Sequence, residues 1–286
     1  MTANVFAKVW EARFGLMLLA AFCITVLTAS PSKANTPLTG PCPVVINQPG
    51  QYSLSKDLTC PPDVDGIDIE ASNVTLLLAG RTIAGTCSGG IGIRVLGTST
   101  VPLTTVGILG PGRISDFTTN FLADYSADSF VNKVKVESQC YKNVGFFFNT
   151  SSNHWALIRD VVRAPGARLP EGLVLLGPNN VVALCKIDDS IIVYSNNNVI
   201  VDNIANDSPL GGIYILGSNN QIYANTTKNN SDSDGIFVGL GALGNILSEN
   251  KAFNNLPYDM EDDNPDCGTN IWEGNKFNAA NLTCIH

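Results

Sequence analysis

Apolar and polar positions alternate over short stretches along most of the chain. Residues 212–225 show the pattern: a glycine, a short apolar strand, a turn containing asparagine, a second short strand, and another asparagine five residues after the first. The pattern returns from Gly235 onward, where Asn245 and Asn250 keep the same spacing. This alternation predicts short β-strands, because a helix would need apolar residues three and four positions apart over longer runs.

The first strands of the repeats recur at similar intervals and begin at Gly66, Gly92, Gly145, Gly172, Ser190, Gly212, Gly235 and Tyr258. The double interval between Gly92 and Gly145 predicts a further repeat near residues 120–124. The asparagines after the first strands keep nearly constant offsets, at Asn153, Asn180, Asn198, Asn220, Asn245 and Asn270, with a second set at Asn203, Asn225, Asn250 and Asn275.

Strands this short bury an apolar side only when successive repeats stack on one another. The sequence therefore predicts an all-β protein, a single-stranded parallel β-helix whose coils span residues 66–258. Residues 35–65 are expected to form a hairpin-like N-terminal cap, and residues 259–286 a closing C-terminal coil, because the terminal units of a solenoid lack one neighbour. Trp272 and Phe277 are expected to plug the C-terminal end.

The Gly-Ile-x-Ile strands and the asparagine ladder resemble the right-handed parallel β-helix, or pectin-lyase-like, superfamily over residues 40–286. The resemblance implies stacked asparagine side chains that hydrogen-bond along the coils. Its repeat motif is specific for the fold and carries little information on function.

The N-terminus has the features of a secretion signal. Lys8 and Arg13 precede an apolar run at residues 14–28, and small residues follow up to Ala34. We expect residues 1–34 to be removed on secretion to an extracellular or periplasmic location; an uncleaved anchor is the alternative. No later run is long enough to cross a membrane.

Charge limits the partners of the mature chain. Removing residues 1–34 takes three of the 17 basic and one of the 25 acidic residues, which leaves 14 and 24 and a net charge of -10. A surface of this sign does not favour nucleic acid. An acidic polymer would also be repelled unless a local basic patch or a bound cation reversed the field.

The cysteines agree with an oxidising compartment. Cys42 with Cys60 and Cys267 with Cys284 are close pairs expected to fasten the two ends, and Cys185 occupies an asparagine position, where we expect a buried free thiol. Cys87 and Cys140 could bond only from adjacent coils, since an intervening coil would hold them too far apart.

The string from Arg163 to Arg168 is similar to the Arg-x-Pro-x-x-Arg motif of pectate lyases. That resemblance implies Arg163 as the base of an elimination and Arg168 as a partner of the substrate carboxylate. The alternative is a Pro-Gly turn flanked by solvated arginines. A calcium-assisted lyase needs clustered oxygen ligands, for which Asp160, Asp188 and Asp189 are the candidates. Calcium is the one cofactor that the sequence suggests, and the sequence establishes none.

A second candidate string, residues 230–236, is similar to the Asn-Thr-Asp-Gly-Ile segment of polygalacturonases. It would make Asp232 and Asp234 the acid and the activator of water in glycoside hydrolysis. An aspartate before Gly-Ile is also an ordinary turn residue.

The leading hypothesis is a secreted protein whose flank, built from the first strands, binds or modifies a polysaccharide or cell-surface glycan. Tyr214, Phe237 and Tyr223 are candidate contact residues. The alternative is a non-catalytic extracellular or envelope scaffold.

Overall fold

The computed structural model describes residues 35–140, 143–163, 171–209 and 211–286, which form an all-β solenoid of parallel strands. Among them no α-helix occurs, and the 3-10 turn Pro265–Cys267 is the one helical element. The secretion signal expected at residues 1–34 lies outside the described residues. In the described part of the chain, no helix is long and apolar enough to cross a membrane.

Each full coil contributes strands to three flat faces, and every strand pairing between coils is parallel. Face 1 is a 10-stranded sheet made of Val44–Ile46, Ile67–Ile69, Ile91–Leu96, Thr119–Asp124, Val144–Phe148, Glu171–Leu175, Ile191–Val193, Ile213–Ile215, Ile236–Val238 and Met260–Asp262. These are the first strands of the repeats.

Faces 2 and 3 belong to one 19-stranded sheet, because the long strands Val106–Ser115 and Ser126–Glu137 run from face 2 into face 3. Face 2 contains the first parts of these two long strands. It also contains Thr36–Leu38, Gly50–Leu54, Val74–Leu77, Leu103–Thr104, Asn153–Ile158, Val181–Ala183, Val199–Val201, Gln221–Tyr223, Ile246–Ser248 and Ile271–Glu273. Face 3 contains the last parts of the same two long strands. It also contains Leu58–Thr59, Thr82–Ala84, Val161–Arg163, Lys186–Ile187, Ile204–Asn206, Thr226–Lys228 and Lys251–Phe253.

The hidden repeat expected between Gly92 and Gly145 is confirmed. Strand Thr119–Asp124 lies on face 1 and pairs with Ile91–Leu96 on one side and Val144–Phe148 on the other. The hairpin expected at residues 35–65 is wrong, because Val44–Ile46 pairs in parallel with Ile67–Ile69 and this segment already forms a coil.

The interior is a continuous stack of apolar side chains. On face 1, Ile191, Ile213 and Ile236 lie in register and are fully buried. The opening glycines lie where neighbouring backbones come close: a Cβ atom on Gly212 would meet the carbonyl oxygen of Gly235 at 2.3 Å. The middle coils are filled instead by aromatic rings, with Phe121, Phe146, Phe148 and Trp155 at centroid distances of 5.4 to 5.6 Å.

A ladder of buried polar side chains runs along each of the three corners, where one strand turns into the next. In the corner between faces 1 and 2, each backbone N–H donates to the side-chain oxygen of the next ladder residue at 2.8 to 2.9 Å, through Asn180, Asn198, Asn220, Asn245 and Asn270. Asn153 lies outside this ladder, because the N–H of Trp155 donates to Asn180 in its coil. Since the corner turns away from regular pairing, the ladder supplies hydrogen bonds that the backbone would otherwise lack.

The corner between faces 2 and 3 holds the second expected ladder, at Cys185, Asn203, Asn225, Asn250 and Asn275, with bonds of 2.9 to 3.0 Å. Cys185 is a buried free cysteine, as expected. The third ladder, between faces 3 and 1, was not predicted; it passes through Ser208, Asn230, Asn255 and Asp259.

Three disulfides join described residues and indicate an oxidising environment. Cys42–Cys60 and Cys267–Cys284 fasten the two ends, as expected. At the C-terminal end Trp272 is buried and its Nε1 donates to the Asp262 carboxylate at 2.9 Å, while Phe277 packs against the core.

The expectation for Cys87 and Cys140 is wrong. They are bonded, with Cα atoms 5.4 Å apart, although the coil containing Asp116 lies between them. Both flanking turns bind that intervening residue: the N–H of Cys87 donates to the Asp116 carbonyl at 2.7 Å, and the N–H of Gln139 donates to its carboxylate at 3.0 Å. The two turns bend toward each other across Asp116, so the distance is far below two strand spacings of about 4.8 Å each.

Candidate functional site on face 1

The outer side of face 1 carries a column of side chains in register, one per coil, because the two residues next to each member, such as Ile213 and Ile215 beside Tyr214, point inward. From Thr119–Asp124 to Ile236–Val238 these outer residues are all apolar, and we call them the outer stripe: Leu122, Phe147, Val174, Ile192, Tyr214 and Phe237. Val174 is buried and the others are half-buried. The accessible part of the stripe therefore lies on either side of Val174, and apolar side chains in register on the outer side of a sheet mark a candidate binding surface.

The C-terminal end of the stripe is aromatic. The rings of Tyr214 and Phe237 pack at a centroid distance of 5.4 Å and an interplanar angle of 49°. The Tyr214 hydroxyl hydrogen-bonds with the Ser233 hydroxyl, which fixes the ring orientation. Burial raises the pKa of Tyr214, and the nearby carboxylates of Asp234 and Glu261 act in the same direction.

A group of carboxyls lies beside the aromatic pair. Glu261 follows Phe237 in the outer register of face 1. Burial, followed by a hydrogen bond with Asp234 and the charges of Asp234 and Asp263, raises the pKa of Glu261 to about 7. Asp234 is buried and accepts a hydrogen bond from the N–H of Tyr258 at 3.0 Å. A carboxyl protonated near neutral pH can donate a hydrogen bond or act as a general acid.

The N-terminal end of face 1 is an ion-pair cluster. Arg94 lies in the outer register beside Asp68, and its guanidinium donates to both oxygens of the Asp68 carboxylate at 3.0 Å. It also lies 3.0 Å from the Asp65 carboxylate. Two carboxylates balance this guanidinium, so Arg94 offers little free positive charge to a ligand.

Arg163 ends strand Val161–Arg163 on face 3, away from the outer stripe, and its side chain is exposed. Its Nε lies 3.7 Å from the Asp188 carboxylate, which Lys186 also approaches at 3.5 Å. The other residue of the expected pair, Arg168, lies outside the described residues.

The three candidate calcium ligands are separated. Asp160 is buried in the corner between faces 2 and 3, where its carboxylate accepts from the N–H groups of Val134 at 2.7 Å and Ile158 at 3.0 Å. Burial raises the pKa of Asp160 to about 8. Asp189 is buried at the corner between faces 3 and 1, and burial raises its pKa to about 6. Asp188 is on the outside.

In the described part of the chain, the one group of three potential metal ligands is Cys87, Asp116 and Cys140. Its two sulfur atoms are joined in the disulfide, so it offers no thiolate.

Of the second candidate pair, Asp232 is exposed and Asp234 is the buried carboxyl beside Glu261. Tyr223 lies on face 2, largely buried, with its hydroxyl donating to the Glu249 carboxylate at 2.5 Å.

Sequence reasoning missed Glu261 because of a register error. Beginning the last repeat at Tyr258 places Met260 opposite Phe237, whereas the structure pairs Ile236 with Met260 and Phe237 with Glu261. A shift of one residue exchanges inner and outer sides of a strand. The available signal was the apolar Met260, which belongs inside, where it is fully buried.

Comparison with known proteins supports the fold. Residues 171–286 match the profile of the family described as "Right handed beta helix region". Together with the parallel coils, this match identifies the chain as a right-handed parallel β-helix, as the repeats predicted.

Two solved structures are similar to large parts of this chain. An alginate lyase from Paenibacillus sp. str. FPU-7 is 13% identical, with a TM-score of 0.45, over 82% of this chain and 93% of that chain. ORF18 of Geobacillus virus E2 is 11% identical, with a TM-score of 0.35, over 80% of this chain and 54% of that chain. Similarities at this level assign no activity, and no curated sequence gave a significant match.

Proposed function

We propose that this protein is a secreted β-helix protein that binds a polysaccharide along the outer stripe of face 1. The observation that carries the proposal is the Tyr214–Phe237 ring pair beside the carboxyls of Asp234 and Glu261. A sugar ring has apolar C–H faces and a rim of hydroxyls, so it fits an aromatic surface flanked by hydrogen-bonding groups. Ile192, Tyr214 and Phe237 lie on successive strands at a spacing of about 4.8 Å and span roughly 10 Å, which suits about two sugar units.

The charges around the stripe favour a neutral glycan. Carboxyls lie at its C-terminal end, and Arg94 at the other end is already paired with Asp65 and Asp68. A chain of uronic acids would be repelled at the first end and find no free cation at the second. Secretion is supported by the disulfides, since these persist in oxidising compartments.

The binding test measures the affinity of the purified protein for neutral glycans such as xylan, mannan and β-glucan. Phe237→Ala is expected to weaken binding about tenfold, the equivalent of about 1.4 kcal/mol of stacking. The matched control is Ile271→Ala, an exposed apolar residue of similar size on face 2. Equal affinity of Phe237→Ala and the wild-type protein, or equal losses in both variants, would refute binding at the stripe.

Cleavage is tested in the same samples, to which pectate and alginate are added. Absorbance of unsaturated products reports elimination, and the size of the glycan chains reports hydrolysis. A lyase acting at Arg163 would lose elimination in Arg163→Ala, and a hydrolase acting at Asp234 would lose chain shortening in Asp234→Asn. If no product forms, the protein binds without cleavage, which is the scaffold alternative.

A further inference from the structure

The corner between faces 1 and 2 exposes a group of large apolar side chains on three successive coils. We call this group the corner patch: Tyr194, Leu216, Leu240 and Leu243. Each member lies in the turn that follows a face 1 strand, and Leu240 is 77% exposed. Single exposed apolar residues are ordinary, whereas a contiguous group of them marks an interaction surface.

The backbone places these side chains beside one another. Parallel pairing continues one residue beyond the strands: the N–H of Leu216 donates to the Val193 carbonyl at 2.8 Å, and the N–H of Gly239 donates to the Ile215 carbonyl at 3.0 Å. A Cβ atom on Gly239 would meet Cδ2 of Leu216 at 2.7 Å. The Leu216 side chain therefore covers Gly239, next to Leu240, and the patch is continuous from coil to coil.

The turns that carry the patch are free of charge. Residues 176–180, 194–198, 216–220 and 239–245 include no Asp, Glu, Lys or Arg. The chain as a whole has a net charge of -8, so two copies repel each other in most orientations. A contact made through these turns brings two copies together without placing their carboxylates against each other. A charged partner would find no complementary group here.

The surroundings of the patch favour one orientation of the two copies. The next turn toward the C-terminus carries the exposed carboxylates of Asp263 and Asp266, whereas the turns on the other side, at residues 149–152 and 176–180, are uncharged. Parallel copies in register would place the carboxylates against one another, and antiparallel copies would place them against the uncharged turns. Charge therefore favours an antiparallel contact.

We propose that the corner patch is the contact surface of an antiparallel homodimer with a two-fold axis at Leu216. Tyr194 and Leu240 lie one coil to either side of the axis, so Tyr194 of one protomer packs against Leu240 of its partner, and the reverse. The four side chains are about half exposed on average and offer roughly 400 Å² per protomer, so that with the surrounding turns the contact reaches about 1,000 Å² in total. An interface of this size is at the lower limit for specific association, and the dissociation constant is expected to be roughly 10 to 100 µM.

Sedimentation equilibrium of the purified protein, without glycan and from about 1 to about 300 µM, measures the self-association. The wild type is expected to change from monomer to dimer over this range. Leu240→Ser is expected to weaken the association about tenfold, because each substitution is present twice in a symmetric interface.

The matched control is Leu256→Ser, which changes a leucine that is 60% exposed in the corner between faces 3 and 1. This variant is expected to associate as the wild type does. Because both leucines are exposed, thermal unfolding of Leu240→Ser and Leu256→Ser is expected to match the wild type.

Engineered cysteines test the antiparallel arrangement. Under mild oxidation in air, the Tyr194→Cys and Leu240→Cys proteins are expected to form disulfide-linked dimers with each other in a mixture, and few when each is alone. The native free thiol of Cys185 is buried and does not compete. Cross-linking of each variant to itself, and not to the other, would show that the copies are parallel and would overturn the proposed arrangement.

Three further results would each overturn the proposal. The first is a monomer at every concentration, and the second is unchanged association in Leu240→Ser or an equal loss in Leu256→Ser. The third is binding to neutral phosphatidylcholine vesicles by a protein that stays monomeric, which would assign the patch to a lipid surface. Self-association is measured without glycan, so failure here is distinguishable from failure of glycan binding at Phe237, and the inference does not rest on the proposed function.

Discussion

In their three-residue strands, face 1 exposes one side chain per coil and face 3 exposes two, although both cover the same apolar interior. On face 1 the outer residues from Leu122 to Phe237 are apolar and end at the Glu261 carboxyl. On face 3 several outward-facing positions hold lysines and arginines, such as Arg113, Arg163 and Lys251. The interior sets which positions face outward, and the chemistry of those positions is free to differ from face to face.

A change in the shared interior should affect both faces. Trp155 is fully buried, contacts Phe121 and Phe148, and donates from Nε1 to the Ser126 hydroxyl at 3.2 Å. Trp155→Ala is expected to cost about 3 to 5 kcal/mol and to lower Tm by roughly 10 °C, measured by thermal unfolding. Trp155→Phe serves as the milder control. If Trp155→Ala left Tm unchanged, the common interior would not support both faces.

Asp160, in the corner between faces 2 and 3, should make the unfolding free energy of the protein depend on pH. The pKa of Asp160 is about 8 in the folded protein and about 3.9 in an unfolded chain. Its neutral form therefore stabilises the fold fully below about pH 4, and this contribution is lost as the pH rises through 8. In Asp160→Asn the difference in unfolding free energy between pH 5 and pH 8 is expected to shrink by about 4 kcal/mol, since the interval covers about three pH units at about 1.4 kcal/mol each.

Denaturant unfolding at the two pH values measures this effect, with Glu70→Gln, an exposed carboxylate, as the control. A difference that stays the same in Asp160→Asn would show that Asp160 is ionised in the folded protein.

A smaller effect is expected on face 1 alone. Near neutral pH, Glu261 loses its proton as the pH rises from 6 to 8. Binding of a neutral glycan is expected to weaken a few-fold over that range, because a proton donor becomes a charged acceptor. In Glu261→Gln the dissociation constant should be nearly independent of pH, while Glu70→Gln, beyond the opposite end of the stripe, should behave as the wild type. A pH dependence that persists in Glu261→Gln would place its origin elsewhere.

The periodic features were predictable from sequence because each repeats a local rule. The glycine and asparagine spacing gave the coils, the hidden repeat and two of the three ladders. The third ladder was missed because it mixes residue types, with Ser208 and Asp259 at its ends. The Cys87–Cys140 bond was missed because an even coil spacing cannot show that two turns bend across Asp116.

The candidate surfaces depend on register more than on motifs. Glu261 lies on the outer side of face 1 because the last strand pairs one residue out of the register that the repeat predicts, and no local motif indicates this shift. Lys135, Lys186 and Lys251 share one outer register position on face 3, although they are far apart in sequence and belong to no motif. The short motifs predicted catalytic roles for Arg163 and Asp234. In the structure Arg163 lies beside Asp188 on face 3, and Asp234 lies beside Glu261.

The disulfide across Asp116 also determines how the molecule would respond to a protease. It joins two residues that are 53 positions apart in sequence, and the chain between them includes an exposed loop in which Val101 is 66% accessible. A single cut in that loop would leave both fragments covalently joined. Strand Val106–Ser115 after the loop would still pair with the coils on either side of it. Such a nicked chain should migrate as one band in a denaturing gel until it is reduced, and then as two. In the unreduced form the stacked coils and the outer stripe of face 1 should stay intact.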